Sequence, residues 1–178
     1  MLKISTISQP IKALATILLL APASVMAACN PPVTTDMQQV GSTRLSVLFW
    51  DLYDAELLTD SGSYDNYEQR ALRLTYLRDI ESAELVESTR EEWQRLNIEI
   101  TEQHEQWLDR LNSIWPDITE GDCLLLVENN AGHGVFYNGQ GKLGSIENQT
   151  FTDQFFAIWL DKDSRFKDER DELLGVNQ

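Results

Sequence analysis

The sequence predicts an α+β domain with a mainly antiparallel sheet, because strand-like and helix-like segments occur in separate groups along the chain. Alternating segments rich in β-branched and aromatic residues come first, and two segments with helical periodicity follow. Short apolar segments joined by glycine turns come next, and a second helical region ends the chain. Strands joined by short turns favour antiparallel pairing, and helices with one apolar face favour a single layer against the sheet.

The strand predictions rest on alternation and on the turn residues between segments. Residues 40–58 are predicted to form one long strand, and the Gly, Asp, Asn and Ser residues of 59–67 indicate a turn after it. The sequence AsnAsnAlaGlyHis is a hairpin signal between two later strands. The remaining predicted strands are 71–80, 123–128, 134–138 and 142–146.

The helix predictions rest on periodicity and on capping residues. Ser82 is predicted to cap a first helix whose apolar stripe contains Leu85 and Trp93, and Thr101 is predicted to start a second helix. Pro116 lies just past the end of that second helix. The wide apolar band of 151–160 predicts a third helix. A last helix is predicted to begin at a Ser164 cap and to stop at Gly175.

Residues 1–27 have the pattern of a secretory signal peptide. Lys3 and Lys12 precede an apolar run at 13–21, and small residues follow at 24–27. The run is too short for a transmembrane helix, which needs about 20 apolar residues. We therefore expect residues 28–178 to form one exported, periplasmic domain.

The two cysteines leave three alternatives open. Export to an oxidising compartment permits a disulfide between Cys29 and Cys123. The sequence MetAlaAlaCys at 26–29 resembles a bacterial lipidation box, which would make the protein a membrane-anchored lipoprotein through Cys29. Two free thiols are the third alternative.

Charge and motif content exclude several classes of function. The formal net charge of −15 opposes binding to phosphate backbones, so no nucleic-acid partner is expected. The glycines of 139–144 match G-x-G-x-x-G but join two short strands, so they are interpreted as turn residues. His104 and His133 have no neighbouring ligands in the sequence. No metal and no cofactor are predicted, and the sequence sets no oligomeric state.

Polar residues inside apolar strands are the candidate site residues. Arg44, Asp51, Tyr53 and Thr75 interrupt such strands. Arg44 has two interpretations, as a carboxylate-binding group or as a charge at a sheet edge that discourages aggregation. In a regular strand, alternation places Asp51 and Tyr53 on one face and Arg44 on the other.

Four segments in order resemble the bacterial chalcone isomerase-like family, which is related to chalcone isomerases and to plant fatty-acid-binding proteins. They are GlySerThrArgLeuSerValLeuPheTrpAspLeuTyrAspAlaGluLeu (41–57), AlaLeuArgLeuThrTyrLeuArgAspIle (71–80), TrpProAspIleThrGluGlyAsp (115–122) and the region 155–175. The resemblance implies an open-faced β-sandwich, in which a layer of helices covers a large antiparallel sheet. It also implies a ligand cleft between the two layers.

The resemblance also implies roles for individual residues. Arg44 and Tyr53 match ligand-contacting positions of the relatives, and Ser164 matches a Thr/Ser position of the bacterial pattern. Leu85 stands where the plant enzymes have a helical tyrosine, and leucine cannot donate a proton. The expected function is therefore non-catalytic binding of a small apolar or carboxylate ligand, such as a fatty acid. The alternatives are an isomerase or intramolecular lyase that uses Arg44 and Tyr53, and an envelope protein-interaction module with a filled cleft.

Overall fold

We describe the fold from a computed structural model, which describes residues 29–176 of the 178-residue chain. The signal-peptide prediction for residues 1–27 lies outside the described residues. Within 29–176, no helix combines the length and the apolar character that crossing a membrane requires.

The described chain forms a six-stranded antiparallel sheet in which every strand pairs with its neighbours in sequence. Four α-helices accompany the sheet, so the α+β prediction is confirmed. The strands are β1 (Gln38–Val47), β2 (Trp50–Thr59), β3 (Arg70–Tyr76), β4 (Cys123–Glu128), β5 (Gly134–Asn138) and β6 (Gly141–Ile146). The helices are α1 (Ser82–Arg95), α2 (Glu102–Ile114), α3 (Gln149–Leu160) and α4 (Lys167–Leu173).

The prediction of one strand over residues 40–58 was wrong, because this segment is a β-hairpin. Val47 pairs with Trp50, and Leu48 and Phe49 form the turn between β1 and β2. Leu48 has a φ of 58°, in the left-handed region that glycine and asparagine usually occupy. The sequence shows none of the usual turn residues at this point, so the pattern concealed the turn.

The helix starts follow the predictions only in part. Thr101 precedes α2, and its backbone N–H donates to His104 Nδ1 over 3.3 Å. Ser82 is the first residue of α1 instead of its cap, and its backbone N–H donates to Asp117 over 2.9 Å. α4 begins after Phe166, so Ser164 lies upstream of that helix and does not cap it.

The two faces of the sheet have separate apolar cores. The core between the inner face and the helices contains most of the large buried side chains. A smaller cluster on the outer face contains Cys29, Leu58 and Leu125. Here the structure joins Cys29 to Cys123 in a disulfide, with Cα atoms 6.0 Å apart. The disulfide uses the thiol that lipidation would modify, so this structure favours the disulfide over the alternatives of a lipid anchor and of free thiols.

The position of α4 depends on a residue without a side chain. A Cβ atom at Gly41 in β1 would overlap the backbone carbonyl oxygens of Glu172 and Leu173. Glycine therefore allows the end of α4 to lie directly against the strand. Thr43, two residues further along β1, donates a hydrogen bond to the Glu172 carboxylate.

Candidate functional site

A cavity of about 290 Å³ lies between the inner face of the sheet and the helices. Apolar side chains form most of its wall. Those contributed by β1 to β5 include Leu45, Leu52, Leu72, Leu74, Leu124, Leu126 and Phe136. Those contributed by the segments outside the sheet include Ile80, Leu85, Trp115, Phe155, Ile158, Trp159 and Phe166.

Tyr53 places a hydroxyl group in this apolar wall. Its side chain is buried, and its oxygen accepts a hydrogen bond of 2.9 Å from Trp159 Nε1. Since that oxygen already accepts a bond, the O–H group remains able to donate to a ligand. Tyr76 makes an edge contact with Tyr53, at 5.6 Å between ring centroids, and also lines the cavity.

Burial raises the pKa of both cavity tyrosines well above the ordinary value of a tyrosine, because the phenolate would lose its hydration. Burial also raises the pKa of Tyr67, outside the cavity, to about 12. A raised tyrosine pKa favours the protonated native state. These tyrosines therefore contribute to the free energy of unfolding. The contribution is complete below the unfolded-state pKa of about 10 and is lost as the pH rises from there through the raised pKa of the folded state.

An alkaline titration followed by phenolate absorbance tests this protonation pattern. We expect Tyr53 and Tyr76 to stay protonated until the protein unfolds, and the free energy of unfolding to fall above about pH 10. The variants Tyr53→Phe and Tyr76→Phe should each lose part of the late absorbance step that accompanies unfolding. Reversible ionisation of both residues in the folded protein near pH 10 would contradict the expectation.

A buried carboxylate faces the cavity from α1. Glu92 is only 7% exposed, and its Oε1 atom lies 2.9 Å from Arg165 Nε. Its Oε2 atom lies 3.4 Å from Arg95 Nε. The two arginines compensate the charge of Glu92, so the positive charge of Arg165 is already engaged at the cavity wall.

The cavity reaches the surface at a rim that contains exposed charged residues. Arg78, Glu84 and Arg165 line it and are exposed. The Arg78 guanidinium lies 5.7 Å from the centre of the Trp50 ring and forms no salt bridge with any residue of 29–176. Arg78 is thus the rim cation that remains available to an anionic ligand.

One polar atom of the cavity wall lacks a partner among the residues that the structure describes. Trp115 is buried, and its indole Nε1 atom makes no hydrogen bond. An unpaired buried N–H group is uncommon in proteins, and a ligand oxygen or a water molecule can satisfy it. The inner part of the cavity therefore offers hydrogen-bond donors at Trp115 and Tyr53.

Comparison with known proteins assigns the family. A family model described as chalcone isomerase-like matches residues 43–175. The chain belongs to the chalcone isomerase-like family. A solved structure of similar fold is the crystal structure of a fatty-acid-binding protein from Arabidopsis thaliana. It has a TM-score of 0.62 and 12% sequence identity, and the match covers 80% of this chain and 88% of that one. No curated protein matches the sequence.

Arg44 of this chalcone isomerase-like chain lies away from the cavity. Its side chain is exposed, with Nε 2.7 Å from Asp54 and Nη1 3.3 Å from Asp51. Arg44 pairs with Asp54 in the sheet and Leu45 pairs with Tyr53, so Arg44 and Tyr53 point to opposite faces. The structure therefore does not bring the predicted pair together in one site.

A register shift explains the position of Asp51. Leu45 pairs with Tyr53 but Ser46 pairs with Asp51, so Leu52 is an extra residue in β2. Such a bulge interrupts the alternation of side chains. Asp51 accordingly joins Arg44 on the outer face and accepts a 2.7 Å hydrogen bond from the Ser46 hydroxyl. The expectation that Asp51 and Tyr53 share one face was wrong for this reason.

Two other candidate residues also lie outside the cavity wall. Thr75 pairs with Asp54 and Cys123 in the sheet, and its side chain is half-buried on the outer face. Ser164 is fully buried, donates to the Ile158 carbonyl over 2.8 Å and accepts from the Phe166 backbone over 3.2 Å. Ser164 thus connects α3 to the segment before α4 and does not line the cavity.

Sequence reasoning missed Glu92 and Arg165, two of the charged residues that line the cavity. Glu92 continues the apolar stripe of α1, seven residues after Leu85 and three after Thr89. An acid on the buried face of a helix was the signal that could have revealed it. Arg165 carries no such signal, because an arginine between helices usually lies in solvent.

Proposed function

We propose that this protein binds a single-chain apolar or amphipathic ligand, such as a fatty acid, in the cavity and catalyses no reaction on it. The observation that carries the proposal is the apolar cavity of about 290 Å³ between sheet and helices. This volume lies just below the usual range of small-molecule sites, about 300–1,000 Å³. It favours one acyl chain over a phospholipid with two.

The charges at the rim suggest how such a ligand would be oriented. Arg78 is exposed at the rim, and its planar guanidinium suits a carboxylate. Arg165 is already paired with Glu92, so it contributes less free positive charge. The acyl chain would extend inward between Leu74 and the helices, with its carboxylate at Arg78.

The cavity offers less support to the two alternatives. The isomerase hypothesis requires Arg44 and Tyr53 to contact the same substrate molecule, but the two side chains lie on opposite faces of the sheet. Leu85 lines the cavity without a proton to donate. An interaction module with a filled cleft needs side chains in the space that the cavity occupies.

Two further observations support the proposal and the expected export. The Arabidopsis protein of similar fold is described as a fatty-acid-binding protein, which makes fatty acids the first ligands to test. The disulfide between Cys29 and Cys123 fits an oxidising compartment such as the periplasm. We infer that residues 1–27 direct export and that residues 28–178 form the mature domain.

Substitution of the rim arginine tests the proposed orientation. We expect Arg78→Gln to weaken fatty-acid binding about 5- to 10-fold, because one exposed charged contact is worth roughly 1 kcal/mol. Binding of the corresponding methyl ester should change little. The matched control is Arg44→Gln, which removes an arginine from the other face of the sheet.

Isothermal titration of the delipidated protein measures these affinities. Equal losses from Arg78→Gln and Arg44→Gln, or an equal loss for acid and ester, would contradict the assignment of Arg78. Absence of saturable fatty-acid binding to the wild-type protein would contradict the proposed function itself.

A further inference from the structure

The turn between β1 and β2 exposes three consecutive large apolar residues. Leu48 is 88% exposed, Phe49 is 97% exposed and Trp50 is 66% exposed. We call Leu48–Trp50 the hairpin tip. Across residues 29–176, the other large apolar side chains with high exposure are Val33 and Val176, which are separate from each other in the sequence. The tip is thus the place where exposed apolar side chains are concentrated.

The backbone at Leu48 indicates that a leucine there does not serve the stability of the turn. Leu48 adopts a φ of 58°, which disfavours residues with a Cβ atom and especially large ones. Asparagine or glycine would fit this turn with less strain and without exposing an apolar side chain to water. Strain combined with apolar exposure is the kind of outlier that points to a function.

The tip lies next to the mouth of the cavity. The Trp50 ring lies 5.7 Å from the guanidinium of Arg78, a rim residue, and Leu52 lines the cavity two residues after Trp50. A surface that touched the tip would therefore lie close to the entrance through which a ligand passes.

We propose that the hairpin tip inserts into the interface of a zwitterionic lipid bilayer and brings the cavity mouth to the membrane surface. Two aromatic residues and a leucine present on the order of 500 Å² of apolar surface. A stable protein interface buries about 800 Å² on each partner, so the tip alone is too small for a dimer. A short apolar protrusion that ends in tryptophan suits the boundary between headgroups and acyl chains.

The net charge of the protein determines which kind of bilayer it can bind. The net charge of −15 opposes a strongly anionic surface. At the base of the tip, Asp51 and Asp54 neutralise Arg44. Insertion would thus depend on apolar contact, and we expect little dependence on ionic strength.

Vesicle flotation of the purified protein tests the proposal. Mass spectrometry should first establish the N-terminus of the protein and show that it is identical in all variants. We expect the protein to bind phosphatidylcholine vesicles equally at low and high salt, and to bind less when phosphatidylglycerol is added. Phe49→Ser with Trp50→Ser should reduce the partition coefficient at least about tenfold, since burial of an aromatic side chain contributes this much or more. The control Val176→Ser removes an exposed apolar side chain next to Gly175, which lies beside Val40 towards the other end of β1, and should leave binding unchanged.

A second variant separates insertion from a structural role of the turn. Leu48→Gly should lower vesicle binding while the melting temperature stays equal or rises, because glycine accepts the positive φ. Equal vesicle binding by the wild type and the Phe49→Ser, Trp50→Ser variant would overturn the proposal. A concentration-dependent dimer that the tip variant abolishes, without vesicle binding by the wild type, would also overturn it and assign the tip to a second copy of the chain.

Discussion

Removal of the Cys29–Cys123 disulfide is expected to lower the free energy of unfolding by about 4–5 kcal/mol. The bond connects residues 94 positions apart, and in the chain-entropy model a loop of this size stabilises the folded state by about that amount. The bond also holds the amino-terminal segment over the outer face, where Arg73 Nε donates to the Cys29 carbonyl over 2.9 Å. That segment covers part of an apolar cluster which would otherwise face water.

Urea unfolding of the double variant Cys29→Ala, Cys123→Ala measures this contribution. Reduction of the wild-type protein with dithiothreitol should produce a similar loss, whereas the double variant should not respond to the reductant. A loss below about 1 kcal/mol would show that the disulfide contributes little to the stability of the folded state.

Replacement of Arg70 by methionine is expected to destabilise the protein by about 3–5 kcal/mol, because it leaves a largely buried carboxylate without its partner. Arg70 is 6% exposed, and its Nε atom lies 2.7 Å from the Glu128 carboxylate. Its Nη2 atom lies 2.5 Å from Asp153, and its guanidinium lies 4.2 Å from the centre of the Phe156 ring. One side chain thus ties β3 to β4 and to α3.

A double variant distinguishes the charge from the packing at this position. Arg70→Met combined with Glu128→Leu should recover most of the lost stability, since replacing both partners of a buried ion pair by apolar residues is often nearly neutral. Arg44→Met, which removes an exposed arginine, is the matched control and should leave the melting temperature unchanged. A melting temperature of Arg70→Met within error of that control would contradict this account of Arg70.

The sequence predicted the bounds of strands correctly where the apolar pattern and the turn residues agree. β4 and β5 have the predicted bounds, because glycine and asparagine mark the turn between them. β3 ends at Tyr76, although the prediction extended it to residue 80. The prediction was too long because the alternation of apolar residues in the sequence continues past the last residue that pairs with a neighbouring strand. The hairpin at Leu48 was missed because an apolar turn at positive φ carries no signal in composition.

The site was less predictable, because it depends on details of register. The extra residue at Leu52 moves Asp51 to the outer face, and no local pattern marks that bulge. Glu92 and Arg165 meet across the cavity wall from segments far apart in the sequence. Tyr53 is the one sequence-predicted site residue that lines the cavity, and ligand binding by it remains a prediction.

Fatty-acid titration of a cavity-filling variant tests the central claim most directly. Leu74 lines the cavity from β3, and its neighbour Thr75 points to the outer face of the same strand. We predict saturable one-to-one binding to the delipidated wild-type protein, loss of that binding in Leu74→Trp, and retention in the control Thr75→Trp. Undiminished binding to a folded Leu74→Trp protein would contradict the claim that the ligand occupies this cavity.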